Sequence, residues 1–171
     1  AAENNAVDGV PQGKVQQFAI DSKETKLLNP GIARKVFGTV DPNNPKTLIV
    51  DTHEIDYKRQ ITVYIPSQYV PGSKAPFMVI HDGPKGKPNM SVPRILDNLI
   101  AQERVPAMIV VMIADGGGDA QGHERGKEYD TMSGLYAEYI ETEVLPRVEQ
   151  NCKVKLTKDP NGRAAMGSSS G

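Results

Sequence analysis

Residues 162–171 read GRAAMGSSSG, and the last five of them fit the pattern G-x-S-x-G. This pattern is typical of a sharp turn from a strand into a helix, which lifts the hydroxyl of the middle serine above a parallel sheet. Small residues flank that serine because larger side chains would collide across the strained turn. The motif therefore makes Ser169 a candidate nucleophile and the backbone N–H of Ser170 a candidate donor to an oxyanion.

A run of glycine and serine can also be a flexible linker, so the residues around the motif decide how it is interpreted. Residues 163–166, Arg-Ala-Ala-Met, form the short, largely apolar run expected of a strand that enters such a turn. Where this turn carries a catalytic triad, the acid and the histidine follow the serine along the chain. We therefore expect both to lie beyond Gly171, with the domain incomplete at its C-terminus.

Composition places the chain among ordinary soluble globular proteins. Its 171 residues fit one domain, with 38% hydrophobic and 24% charged residues. The net charge of −1 gives no basic surface for nucleic acid or an acidic membrane, and no apolar run approaches the length of a membrane span. We expect neither nucleic acid nor a membrane among its partners.

Cysteine and glycine patterns give no sign of a metal or cofactor. A lone Cys152 cannot form an internal disulfide, and no Cys/His cluster has the spacing of a zinc site. The glycine-rich segment 115–119 lacks the register G-x-G-x-x-G of a dinucleotide site. We predict no metal and no cofactor.

The first five residues, Ala-Ala-Glu-Asn-Asn, resemble what remains after a signal peptide is cleaved at a small-residue site. This favours a periplasmic or secreted location, although a cytoplasmic protein fits the same residues equally well.

Hydrophobic patterning predicts an α/β fold. Residues 1–33 show little periodicity and are interpreted as an irregular leader with a short extended piece near 15–20. Residues 77–80 and 107–114 are continuous apolar runs, typical of parallel strands covered on both faces. Residues 59–65 alternate polar with apolar and predict an outer, half-exposed strand. Further strands are predicted at 34–40, 47–52 and 163–166, and helices at 91–102 and from about 131, the second kinked or shifted by Pro146.

The order of these elements predicts the first half of a three-layer α/β/α sandwich. Two or three outer β elements precede an alternation of strand, helix, strand, helix and strand that ends in the serine turn. Residues 34–171 would then form the N-terminal portion of a single domain. Its last strand would have an uncovered edge, so we expect the isolated 1–171 polypeptide to be poorly soluble or dimeric, and inactive toward p-nitrophenyl acetate.

From about Arg59 to Gly171 the sequence resembles a family of esterases. The group contains enterochelin esterases, feruloyl and acetyl-xylan esterases and, more distantly, mycolyltransferases. The resemblance rests on the order and spacing of several stretches: His81-Asp82-Gly83, the helix segment 95–100 (ILDNLI), Arg125 with Glu128 and Tyr129 (R-x-x-E-Y), segment 139–149 (YIETEVLPRVE), and the apolar residues before G-x-S-x-G.

This resemblance implies an α/β-hydrolase-like serine esterase. Ser169 would attack the ester carbonyl, while the N–H of Ser170 and one from the loop after Asp82 would bind the oxyanion. Pro84 follows Asp82-Gly83 and has no N–H, so Gly83 or Lys85 must supply the second donor, and Gly83 is preferred.

The remaining candidates flank this loop. We interpret Arg125 and Glu128 as an ion pair that clamps the loop beside the serine turn, with the alternative that Arg125 contacts an anionic or hydroxylated substrate. His81 is assigned to structure or to a pocket wall, and chain order argues against His53 and His123 as the catalytic base. Asp82 lies at a strand end, where active sites of open sheets cluster, but is not placed as the triad acid.

The sequence leaves the substrate and the reaction open. A siderophore ester, a feruloylated or acetylated sugar and a short acyl ester all fit as a small-molecule or carbohydrate ester partner. The alternatives are an acyltransferase on the same scaffold and a non-catalytic binding module whose terminal Gly/Ser run is a linker. A homodimer is also compatible with the sequence.

Overall fold

The computed structural model describes residues 2–36, 38–119 and 121–171. Phe37, inside the predicted strand 34–40, and Ala1, in the predicted signal-peptide remnant, lie outside them. The strands are β1 (Lys14–Asp21), β2 (Gly31–Arg34), β3 (Thr39–Asp41), β4 (Asn44–Ile49), β5 (Thr52–Ile55), β6 (Lys58–Ile65), β7 (Lys74–Ala75), β8 (Phe77–His81), β9 (Ile109–Ile113), β10 (Lys155–Leu156) and β11 (Arg163–Met166). The helices are α1 (Ser91–Ala101), α2 (Glu124–Tyr129), α3 (Leu135–Tyr139) and α4 (Leu145–Cys152), with a π-helical turn at Ile140–Val144 and 3₁₀ turns at Ala2–Asn4, Ser22–Glu24 and Pro160–Gly162.

A five-stranded mixed sheet forms the centre, in the order β1-β6-β9-β8-β11. The first three strands pair antiparallel, whereas β9, β8 and β11 run parallel. Three small two-stranded sheets join β2 to β5, β3 to β4 and β7 to β10. The parallel half comprises the strands that the continuous apolar runs and the segment 163–166 predicted.

Helices cover both faces of this sheet. Because successive strand residues point to opposite faces, Val110 and Met112 pack with α1 through Leu96, whereas Val79 and Val111 pack with α3 and α4. Within the part of the chain that the structure describes, no helix is both long and apolar enough to cross a membrane.

The predicted irregular leader is wrong in extent: the short extended piece expected near 15–20 is the strand β1, Lys14–Asp21, which pairs with β6 along its whole length. Its sequence shows little periodicity because it lies at the edge of the sheet, where only Ile20 is buried. Backbone pairing rather than an apolar face therefore holds this segment.

The predicted outer, half-exposed strand is also wrong, because β6 lies inside the sheet between β1 and β9. Arg59, Thr62 and Tyr64 have no exposed surface. Each has a polar partner: Arg59 bonds Glu128, Thr62 accepts from Gln17, and the Tyr64 hydroxyl donates to Asp97. The polar residues that alternate along β6 are therefore buried and hydrogen-bonded, and they do not form a solvent-exposed face.

The predicted strands 34–40 and 47–52 are each divided in two. The chain leaves β2 at Arg34 and turns through Gly38, whose φ of +52° favours glycine, before β3 begins. A hairpin then joins β3 to β4 across the predicted turn at 41–45, and β5 returns to pair with β2.

The second helical region begins earlier than predicted and in two pieces. The short α2, with sequence ERGKEY, lacks an apolar stripe and was therefore missed, and the next helix begins at Leu135 rather than near Thr131. The effect of Pro146 is confirmed: a π turn precedes α4, and the Leu145 N–H donates to the Ile140 carbonyl five residues back. Pro146 then lies in the first turn of α4, where its missing N–H is tolerated.

Candidate active site

The serine motif and the loop after β8 meet at one edge of the sheet. Because β8 and β11 are parallel and Met166 pairs with Ile80, both strands end at this edge. A Cβ atom built on Gly171 would lie 3.0 Å from Asp82 Oδ2 and 3.2 Å from His81 Cβ. The motif therefore packs against the end of β8.

The backbone of the motif is a tight turn. Ser169 has a φ of +58°, in the left-handed region that a residue with a Cβ rarely adopts, and the Gly171 N–H donates to the Ser168 carbonyl at 3.0 Å. A Cβ on Gly167 would overlap the carbonyl group of Gly171. Glycine is required at that position, as the small-residue pattern predicted.

Gly83 does not have the free N–H that its assignment as an oxyanion donor needs. Its N–H donates to the Ile113 carbonyl at 2.8 Å and so extends the pairing of β8 with β9. A Cβ there would lie 2.8 Å from the Ile113 nitrogen, so the residue faces the neighbouring strand. This geometry contradicts the preferred assignment and leaves Lys85 as the alternative from the same loop.

Asp82 lies at the turn from β8 into this loop, with a φ of +53°. Its carboxylate accepts from Arg125 Nε at 2.8 Å and from Arg125 Nη2 at 2.7 Å, and its N–H donates to the Tyr129 hydroxyl at 3.2 Å. The hydrogen bond from Arg125 holds the pKa of Asp82 below its usual value. The carboxylate is therefore ionised and bound to Arg125.

Arg125 and Glu128 do not pair with each other, which corrects the predicted ion pair. Arg125 binds Asp82, donates from Nη1 to the Asp119 carbonyl at 2.8 Å, and stacks on the Tyr129 ring with its guanidinium carbon 5.2 Å from the centroid. Glu128 instead binds Arg59, because that arginine projects from β6 and presents a buried opposite charge.

The Arg59–Glu128 pair is the site feature that sequence reasoning missed. Neither side chain has exposed surface; Arg59 Nη1 lies 3.0 Å from Glu128 Oε2, and Nη2 bonds Oε1. Burial opposes the charge on Arg59, but contact with Glu128 raises its pKa well above the usual value. Arg59 also donates to the Ala114 carbonyl at 2.8 Å, and the Gly116 N–H donates to Glu128 at 3.3 Å, so the pair fastens α2 to the end of β9.

His81 belongs to a cluster of aromatic rings and to the wall of a cavity. Its ring centroid lies 5.6 Å from that of Tyr129 and 5.5 Å from that of Tyr136. Burial lowers its pKa, and among the described residues its Nδ1 has no hydrogen-bond partner. The cavity, about 460 Å³, opens between β8, β11 and α3. His53 lies on β5, and His123 directly precedes α2.

In the described part of the chain, no group of three or more His, Cys, Asp or Glu side chains could hold a metal ion. The charges at the strand ends are balanced in pairs instead. Asp82 binds Arg125, and Lys85 Nζ lies 2.8 Å from Asp115 Oδ1.

Comparisons with solved structures identify the fold. A ferulic acid esterase aligns with 91% of this chain and 50% of its own length, at 22% identity and a TM-score of 0.56. A ferulic acid esterase from Anaeromyces mucronatus, in complex with ferulic acid, aligns with 97% of this chain and 52% of its own length, at 16% identity and a TM-score of 0.57. The chain thus spans about half the length of these structures and shares their α/β-hydrolase-like fold.

No curated protein matches the chain. A family model described as Putative esterase, however, matches residues 52–171. That range begins at β5 and includes the buried Arg59–Glu128 pair, the Asp82 loop and the serine turn. Because the match covers well over half of the chain, the protein belongs to the Putative esterase family.

Proposed function

We propose that the protein hydrolyses carboxylic esters through an acyl intermediate on Ser169. The observation that carries the proposal is the backbone of Ser169, which has a φ of +58° immediately after a parallel strand. Such a conformation is unfavourable for serine and is expected where a turn must present a hydroxyl to a substrate.

In the first step, Ser169 Oγ attacks the ester carbonyl carbon and loses its proton to a base, forming a tetrahedral intermediate. Collapse of the intermediate returns that proton to the leaving alcohol and leaves an acyl-serine. Water then gives a proton to the same base and attacks the acyl carbonyl carbon; collapse breaks the bond to Ser169 Oγ, which takes the proton from the base as the acid is released. We expect the base to be a histidine that follows the serine along the chain, together with its acid.

Two backbone N–H groups would stabilise the oxyanion. Ser170 supplies one, because it directly follows the nucleophile. Lys85 supplies the other, since Pro84 has no N–H and the N–H of Gly83 is bonded to Ile113. The Lys85 side chain is tied to Asp115 by a 2.8 Å contact, which restrains the loop that carries this donor.

The proposed domain is a three-layer α/β/α sandwich, and the proposed substrate is a feruloyl or acetyl ester of a sugar or a related small ester. The solved structures with this fold are described as ferulic acid esterases, and this favours an ester with an aromatic acyl group over the other candidate substrates. The cavity of about 460 Å³ beside His81 has mainly apolar walls, which suits an aromatic acyl group.

The proposal is tested with the natural gene product that contains this chain. We expect it to hydrolyse p-nitrophenyl acetate and methyl ferulate, and Ser169→Ala to remove at least about 99.9% of kcat, because a triad nucleophile typically contributes more than that factor. Ser168→Ala and Ser170→Ala are matched controls, since neither side chain has a role in the proposed chemistry. Full activity in Ser169→Ala, with loss in either neighbour, would reject the assignment.

A further inference from the structure

Asp82 lies between the two parts of the proposed site. On one side, its Oδ2 lies 3.0 Å from the point that a Cβ built on Gly171 would occupy, at the end of the serine turn. On the other side, it precedes the loop in which Lys85 offers its N–H. The position of Asp82 therefore sets the separation between the nucleophile turn and that donor.

The conformation of Asp82 needs support from outside its own segment. Its φ of +53° is unfavourable for a residue with a Cβ. The following N–H, from Gly83, is fixed on Ile113, so the whole turn must occur at Asp82 itself. Two groups from α2 supply the support: the Arg125 guanidinium on the carboxylate and the Tyr129 hydroxyl on the N–H.

Arg125 forms its hydrogen bonds with groups of the protein itself, and this argues against a role in binding substrate. Each of its three nitrogens donates internally: Nε and Nη2 to Asp82, and Nη1 to the Asp119 carbonyl. Its side chain is only 16% exposed, and its guanidinium carbon lies over the Tyr129 ring. A planar guanidinium that bonds both carboxylate oxygens fixes direction as well as distance, which an ammonium group does not do.

The helix that carries Arg125 is itself fixed to the sheet. Glu128, one turn later on α2, bonds the fully buried Arg59 of β6. Arg59 reaches the Ala114 carbonyl at the end of β9. A continuous set of contacts therefore runs from the central strand through α2 to the turn at Asp82.

We propose that Arg125 and Asp82 are positioning residues that hold the donor loop at the correct distance from Ser169. The inference rests on the proposed function and deepens it. The pair acts on the geometry of oxyanion binding, so it contributes in the transition state more than in substrate binding.

The test compares Arg125→Lys with the natural gene product on p-nitrophenyl acetate. Because a displacement of about 1 Å at a reacting centre costs on the order of 100-fold in rate, we expect kcat to fall about 10- to 100-fold while KM stays within about twofold. Arg104→Lys is the matched control, since Arg104 forms an exposed ion pair with Glu3 at 2.7 Å on another part of the molecule and should leave kcat unchanged.

A second readout separates positioning from simple stabilisation. In Arg125→Ala, guanidinium at low millimolar concentration should restore part of kcat, whereas methylammonium should not, because only the planar cation can bond both Asp82 oxygens. If Arg125→Lys melts at a lower temperature but keeps wild-type kcat at 15 °C, the inference is wrong. A rise in KM confined to anionic esters would also overturn it, in favour of substrate binding by Arg125.

The two proposals can fail separately. Wild-type turnover in Ser169→Ala would overturn the proposed function and this inference with it. Loss of turnover in Ser169→Ala together with normal kcat in Arg125→Lys would overturn only the inference. If the Arg125 variants do not fold, Asp82→Asn decides, because it keeps the side-chain shape and one acceptor oxygen but not the charge; an unchanged kcat there would contradict positioning.

Discussion

Single residues at the carboxyl edge of the sheet carry most of the argument for function. Ser169 and Asp82 both have positive φ, and they lie at the ends of neighbouring parallel strands. A strained backbone conformation persists only where surrounding contacts hold it in place, and such sites are often functional. At this scale the account predicts that stability and activity oppose each other.

Replacing Ser169 by glycine should remove the conformational cost of its left-handed backbone. We expect Ser169→Gly to raise the free energy of unfolding by about 1 kcal/mol and to abolish ester hydrolysis. Urea denaturation measures the first effect and p-nitrophenyl acetate turnover the second. Ser168→Gly is the control, since Ser168 has no positive φ, and it should bring no stability gain. A destabilised Ser169→Gly would argue against strain in the turn.

His81 should make the stability depend on pH. Burial lowers its pKa below the ordinary 6.5, so between the two values the unfolded chain binds a proton that the folded protein does not. Its contribution to stability is therefore complete above pH 6.5 and is lost as pH falls from there toward the folded pKa. Urea unfolding between pH 5 and 7.5 should show this loss in the wild type and in the exposed control His53→Asn. The loss should be smaller in His81→Asn, and an unchanged profile in that variant would contradict the account.

At the scale of elements, α2 is the helix on which the site depends, although it has only six residues. Too short and too polar to be stable alone, it is fastened by Glu128 to Arg59 and by Glu124, whose Oε2 accepts from the Ile32 N–H at 3.0 Å. Polar and ionic contacts with β6 and β2 therefore hold α2 in place, whereas a longer helix is usually held by an apolar stripe packed on the core.

Glu128→Gln should destabilise the protein strongly, because it leaves the buried Arg59 charge without its partner. We expect a loss of about 3–5 kcal/mol in the free energy of unfolding. The matched control is Glu141→Gln, which breaks an exposed pair with Arg163 and should cost less than about 1 kcal/mol. Equal costs in the two variants would show that the buried pair does not fasten α2.

The sequence was sufficient to predict those elements whose structure follows from their own local pattern of residues. The apolar runs at β8 and β9 and the apolar stripe of α1 each indicate their structure locally. The contacts of Arg59 and Arg125 do not, because their partners lie 69 and 43 residues away along the chain. The interior position of β6 depends on its pairing with β1 and β9, and the loss of Gly83 as a donor depends on the Ile113 carbonyl of β9.

At the scale of the whole molecule, β11 is an edge strand of the mixed sheet among the described residues, and Ala164, Ala165 and Met166 on it are exposed. An exposed parallel edge can pair with another chain. The expectation that the 1–171 polypeptide alone is dimeric or poorly soluble stays a prediction.

A charge on this edge should reduce self-association of the 1–171 polypeptide. We expect Met166→Lys to shift its mass by light scattering toward the monomer, because a lysine on an edge strand opposes further pairing. Met132→Lys is the control: Met132 is fully exposed in a loop, so the same charge there should leave the mass distribution unchanged. An equal effect of both substitutions would indicate general solubility rather than the edge.

The central claim is that Ser169 is an activated nucleophile in a strained turn, and a fluorophosphonate probe tests it most directly. The natural gene product is treated with the probe, digested and examined by mass spectrometry. The account predicts one adduct, on Ser169, that disappears in Ser169→Ala and persists in Ser168→Ala. Labelling at another residue, or equal labelling of the three consecutive serines, would contradict it.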